Sequence, residues 1–243
     1  KDNYFKSTVQ SQYDAAKNTE QSNLENGSDI ASQRELDQIS FTKLLGGQAQ
    51  SEKFLASIRT FGNKTPFEYD QLTQLSKTLL NYGYKQDEII PMLTKVGDTG
   101  AVTGMSMEDI NMVATVLGRM KSTGKTTMEY LNMLMDRHIP ALDYLSQATG
   151  KSKAQVLKMV SKGLIPGATA AREIADAMGK ANKGGMKLQS ETYSGLKSTL
   201  EDVKDDLKAA LGEGYNEEAK KGIQNQIQVM SGKAGESLKA AYK

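Results

Sequence analysis

All four prolines of this 243-residue chain, Pro66, Pro91, Pro140 and Pro166, fall in its middle, while the first 65 and the last 77 residues have none. Proline removes a backbone donor and clashes with the preceding turn, so it is poorly tolerated in helix interiors. Its distribution predicts short helices in the centre and longer, uninterrupted ones on either side. Sheet formers are scarce: aromatic residues make up 6% and Trp is absent, beside abundant Leu, Ala, Lys, Gln, Glu and Met. The expected fold is all-α, a compact multi-helix central domain of short helices flanked by longer helices that form a hairpin or coiled-coil-like bundle. Three regions follow: an extended helical flank over 1–62, a compact domain over 63–182 and a helical hairpin flank over 183–243.

In the first flank Phe5, Val9, Tyr13 and Ala16 make a narrow apolar stripe suited to one partner helix. Asn26-Gly27 predicts a break, with Ser28 or Asp29 capping a second helix that carries Leu36, Ile39, Leu44 and Leu45 and ends at Gly46-Gly47. In the last flank Leu196, Leu200, Val203, Leu207 and Ala210 step by fours and threes. After Gly212-Glu-Gly214 the stripe resumes with Ile223, Ile227, Met230, Ala234 and Leu238. An antiparallel hairpin turning at those glycines is expected, with the N-terminal flank as a third strand of the bundle and self-association through the flanks.

The centre is punctuated by capping boxes, in which a Ser or Thr side chain and a Glu or Gln three residues later satisfy each other's backbone donors. Thr65-Pro66-Phe67-Glu68 precedes a helix through Leu72, Leu75, Leu79 and Tyr82. Further boxes begin at Ser106, Thr126 and Ser152. Gly97-Asp-Thr-Gly100-Ala-Val-Thr-Gly104 reads as a tight, partly buried turn. An Ala-rich helix spans Ala168 to Ala181, and Asn182-Lys-Gly-Gly185 reads as a hinge.

Chemistry-bearing constellations are few. With no Cys and one His, His138, the chain has neither thiol nucleophile nor thiolate or two-His metal site. Net charge is −1 over 1–62, +2 over 63–166 and +1 over 167–243, so no basic stripe for nucleic acid is present. No run approaches the roughly 20 apolar residues of a membrane-spanning helix. KDNYFKSTVQ lacks a start Met and a signal-peptide core, as expected of a piece of a longer chain. Gly118-Arg-Met-Lys-Ser-Thr-Gly124-Lys125-Thr126 resembles a phosphate-binding loop, but five residues separate its glycines where the loop allows four, and a helical pattern precedes it. Asp136-Arg137-His138-Ile139-Pro140 reads as a helix end with its cations at the negative pole of the dipole. No catalytic, cofactor or metal-binding residue is assigned.

Seven of the 12 methionines lie between 105 and 135. Met adapts to core gaps and to surfaces that receive a partner helix. The candidate partner-binding residues are Met112, Met120, Met128, Met133 and Met135.

The central blocks occur in a distinctive order. After Thr65-Pro66-Phe67-Glu68 come Leu93-Thr-Lys-Val-Gly97-Asp98, Ala101-Val-Thr-Gly104 and Leu117-Gly118. Tyr130-Leu131-Asn132, Ile139-Pro140-Ala141-Leu142-Asp143-Tyr144-Leu145 and Val160-Ser161-Lys162-Gly163-Leu164-Ile165 follow. Over roughly residues 54 to 165 this resembles the N-terminal region of tail tape measure proteins from long-tailed phages and prophages. The resemblance implies a structural virion protein without catalysis or cofactor, a long helical chain around which tail-tube subunits assemble. It implies the tail-tube protein, tail assembly chaperones and tail-tip proteins as partners. It also implies a place in the virion tail, after assembly in the bacterial host cytoplasm. Two other functions remain open on residues alone: a helical adaptor with a Met-rich groove, and a nucleotide-binding enzyme using Lys125 and Thr126.

Overall fold

A computed structural model describes residues 2–231; the side chains of Phe5, Val9, Tyr13 and Ala16, and residues Ala234 and Leu238, lie outside the described residues. Among the described residues there are eleven helices and no strand, so the fold is all-α with long flanking helices. The chain divides into two compact units: Gln38–Asp202, and the two ends up to Asp37 and from Val203 onward. The former takes in 38–62 and 183–202, which punctuation alone leaves with the flanks.

The unit made of the chain ends is built from α1 (Asp2–Leu45) and α11 (Tyr193–Ser231), each of which continues into the other unit. Both expected glycine breaks are absent, because α1 runs unbroken through Asn26-Gly27 and α11 through Gly212-Glu-Gly214. The reason lies in packing: a Cβ on Gly27 would overlap the Lys208 carbonyl, and one on Gly212 the Gly27 carbonyl. The glycines are the points where two helix backbones touch, and that contact offsets the roughly 0.5–1 kcal/mol each costs inside a helix. The hairpin expected within 183–243 is therefore one helix over its described residues, and its partner arm comes from the other end of the chain. Ala31 and Ala209 are buried near the crossing. Leu36, Ile39 and Leu44 of α1 are exposed rather than buried, and α1 stops where Gly46 takes φ 78°.

The larger unit holds α2 (Gln48–Gly62), α3 (Tyr69–Asn81), α4 (Gln86–Thr103), α5 (Met107–Thr123), α6 (Met128–Met135), α7 (Ala141–Thr149), α8 (Lys153–Ser161), α9 (Gly167–Ala181) and α10 (Gly185–Ser190). At its centre α9 packs on α4, α5 and α7. The inward face of α9 is Ala170, Ala171, Ile174, Ala175 and Met178, whose small residues let neighbours approach closely. Leu72, Leu79, Leu117, Leu134 and Ile174 are fully buried, each contributing about 1.5–3 kcal/mol of transfer free energy.

Two expected boxes hold and two shift. Ser106 accepts from the Asp109 amide and Ser152 from the Gln155 amide. At the first box the N-cap is Glu68, whose amide donates to the Gln71 side chain, not Thr65. Pro66 stays outside the helix because Phe67 turns into the core, against Gly97. At the third box Thr127 caps α6 by accepting from the Tyr130 amide, while Thr126 is buried one residue earlier. The expected turn over 97–104 is the second half of α4, and within it only Gly104 has positive φ. Gly97 and Gly100 serve close approach instead: a Cβ on Gly100 would sit 2.6 Å from Ile110 Cδ1.

Candidate interaction surfaces

Residues 118–123 of the phosphate-loop look-alike belong to α5, so their amides serve the helix ladder and cannot converge on a phosphate. Gly124 ends that helix at φ 69°, Lys125 is exposed and forms an isolated bridge with Pro166, and Thr126 is buried. His138 is exposed at φ 60° in the α6–α7 turn, and its neighbour Arg137 pairs with Asp109 at 3.2 Å. That pair ties the turn after α6 to the start of α5.

Met107 and Met112 lie on α5, and Met133 and Met135 on α6. Met112, Met128, Met133 and Met135 are half-buried against the core, whereas Met120 is fully buried within it and presents no face to a partner.

A cleft of ≈490 Å³ between α4, α5 and α9 had no signature in the sequence. Pro91, Met92, Ala168 and Tyr84 are among the residues that line it. The Lys121 ammonium stands 3.9 Å from the centroid of the Tyr84 ring and 2.9 Å from Glu88 Oε2. Glu88 also accepts from the Lys85 amide at 2.6 Å. The Lys85 amide, followed by Lys121, holds the Glu88 carboxyl below its ordinary value against a smaller opposing effect of burial. Burial, reinforced by Glu88, pushes the Tyr84 phenol up to about 12. Lys95 and Asp176 pair at 2.5 Å across the same cleft. The charges that line it are thus largely committed to one another, which suits a packed seam better than a reacting centre. Pairs 33 and 81 positions apart leave no local pattern to read.

The apolar stripe of α11 is exposed along its length. Within the larger unit Leu196 and Leu200 are exposed, and within the other unit Val203, Leu207, Ile223, Ile227 and Met230 are too. Contiguous exposed apolar residues in heptad-like steps mark an interaction face. Among the described residues, no helix is long and apolar enough to cross a membrane, and no three His, Cys, Asp or Glu side chains group as a metal site would require.

Over its described residues the chain is all-helical, and its surface offers exposed apolar helix faces beside a cleft whose charges pair largely with one another. The chain belongs to the tape measure protein family, whose model matches residues 28–216, more than half of the chain and well beyond both ends of the blocks that carry the resemblance. The family places it among structural proteins of phage tails. A related protein, the Mu-like prophage FluMu protein gp42 of Haemophilus influenzae, is 26% identical over 156 residues, covering 63% of this chain. The chain spans only 24% of that relative's length. No solved structure matches it.

Proposed function

We propose that this chain is the portion of a tape measure protein that helps to template tail-tube assembly and length through protein contacts, without catalysis. The observation that carries the reading is the exposed stripe of α11 on a helix of 39 residues. A helix advances about 1.5 Å per residue, so such a helix converts residue number into distance while its apolar face remains available to a binding surface. The chain ends, up to Asp37 and from Val203, act as the extended part, associating with copies of themselves or with tail-tube subunits. The compact unit, 38–202, acts as a docking module for assembly chaperones or tail-tip proteins, in the host cytoplasm during assembly and in the virion tail afterwards.

The half-buried Met112, Met128, Met133 and Met135 support a docking surface for a partner helix on that domain. Cross-linking mass spectrometry of purified phage particles tests both assignments. Links from Lys204 or Lys220 to tube protein, or to a second copy, support the extended role. Particles with peptides of this chain but no links from 203–243 to either would refute it.

A further inference from the structure

We propose that the segment 182–192, containing α10, is a latch that opens as a unit while the helices around it stay folded, lengthening the chain between α9 and α11. The contacts that hold it converge on the middle of α4, against which α10 packs closely. Asp98 is buried, and each of its carboxylate oxygens accepts one backbone amide, from Gly184 at 2.9 Å and from Met186 at 3.0 Å. Beside it, the Asn182 amide group donates to Thr99 Oγ1 at 3.2 Å and to the Met178 carbonyl at 3.1 Å. Met186 is the plug: it fills the space that a Cβ on Gly97 would occupy, next to Phe67. Gly185 lies against the Asp98 carbonyl, where a side chain has no room.

Everything else about the segment favours detachment. α10 has six residues, of which only Gly185 and Met186 are buried, while Lys183, Lys187, Leu188 and Gln189 are exposed. Gly184 enters it at φ 83°, and the Thr192 hydroxyl, which accepts from the Gly195 amide, closes it at the start of α11. Short elements with few buried apolar contacts open locally at a lower free energy than the core. Here one apolar plug and one buried carboxylate anchor the attachment, so loss of either weakens it as a whole. Extended, the 11 residues from 182 to 192 span about 36 Å, a reserve of chain between α9 and α11 that does not require α9 to unwind. The device is independent of any measuring role, since it concerns only contacts inside the larger unit.

Amide hydrogen exchange on the whole chain tests it, read at 184–190 against 93–100 of α4 and 170–178 of α9. In the native protein the latch amides should exchange at least about ten-fold faster than both references. Asp98→Asn should accelerate them about ten-fold more with the α9 amides unchanged. Gly185→Ala, which wedges from the latch side and leaves α4 intact, should do the same. Latch amides that exchange at the rate of α4 and α9 in the native protein would overturn the proposal whether or not a variant folds. So would variants that accelerate all three regions equally.

Discussion

Gly27 and Gly212 meet backbone to backbone: a Cβ built on Gly212 would overlap the carbonyl carbon and oxygen of Gly27. Around that contact Asn216 donates to the Ser28 carbonyl at 3.0 Å and to Ser32 Oγ at 3.1 Å, and accepts from the Ser28 hydroxyl at 2.5 Å. Ion pairs Arg34–Asp206 and Lys220–Glu35 engage α11 on either side of the contact. The interior of this crossing is small and polar while large apolar residues point outward, the reverse of a self-sufficient helix pair.

Alanine scanning of the α11 glycines separates packing from propensity. Gly212→Ala meets backbone, which cannot give way, so it should destabilise the crossing by about 1–3 kcal/mol even though Ala is the better helix former. Gly214→Ala meets nothing within 4 Å and should gain about 0.5–1 kcal/mol of helix stability. Circular dichroism melts of the two variants should shift in opposite directions, and a shift in the same direction would show that the contact at Gly212 does not form in solution.

Asn216 supplies the second test at this crossing. It is buried with three hydrogen bonds, so Asn216→Ala leaves the Ser28 carbonyl without that donor and should cost about 1–3 kcal/mol. Urea titration of the variant should show a lower midpoint for a probe in the chain ends, with the larger unit melting as before.

How much of this was legible in the sequence depends on how far each cause lies from its effect. The starts at Ser106 and Ser152 were readable because donor and acceptor are three residues apart. Thr65 and Thr126 carry the same signature, but burial of Phe67 and of Thr126 itself moved the caps to Glu68 and Thr127. The glycines at 27, 97 and 212 read as breaks since their partners, Lys208, Met186 and Gly27, are remote in sequence. A glycine that ends a helix and one that lets another backbone in look alike until the neighbour is known. The same distance hid the Lys121–Glu88 pair and the whole α4–α5–α9 cleft. The Met cluster was visible, but which members face the core was not, since that depends on where α9 lies over α5.

Within the larger unit, Gly118→Ala would place its Cβ 2.6 Å from Cγ of Tyr82, between α3 and α5. The tyrosine must move, breaking its contact with Arg119, so the variant should lose about 1–3 kcal/mol. Thermal denaturation followed by tyrosine fluorescence reads this directly.

Tyr84 gives a pH signature. A phenol raised from 10.0 to about 12 is favoured in its neutral form by the fold, so its contribution to stability is complete below pH 10 and declines as pH rises toward 12. Absorbance titration of the tyrosines should show a late component near pH 12 that Tyr84→Phe removes. Glu88 acts at the other end: its lowered carboxyl contributes stability above the ordinary Glu value that fades as pH falls through the folded one. Glu88→Gln should therefore flatten the acid limb of a stability–pH curve below about pH 4.3, and by removing the charge beside Tyr84 it should also draw the late phenol titration to lower pH.

The most direct test of the tape measure account is tail length. Residues 221–231 of α11 are exposed throughout, and Gly222 has no neighbour within 4 Å, so four helical heptads inserted there in the parent gene should disturb no packing. If residue number sets length, electron microscopy of the resulting particles should show tails longer by about 42 Å, and matching deletions should shorten them in proportion. Tails of unchanged length, on particles that carry the lengthened protein, would contradict a measuring role for this part of the chain.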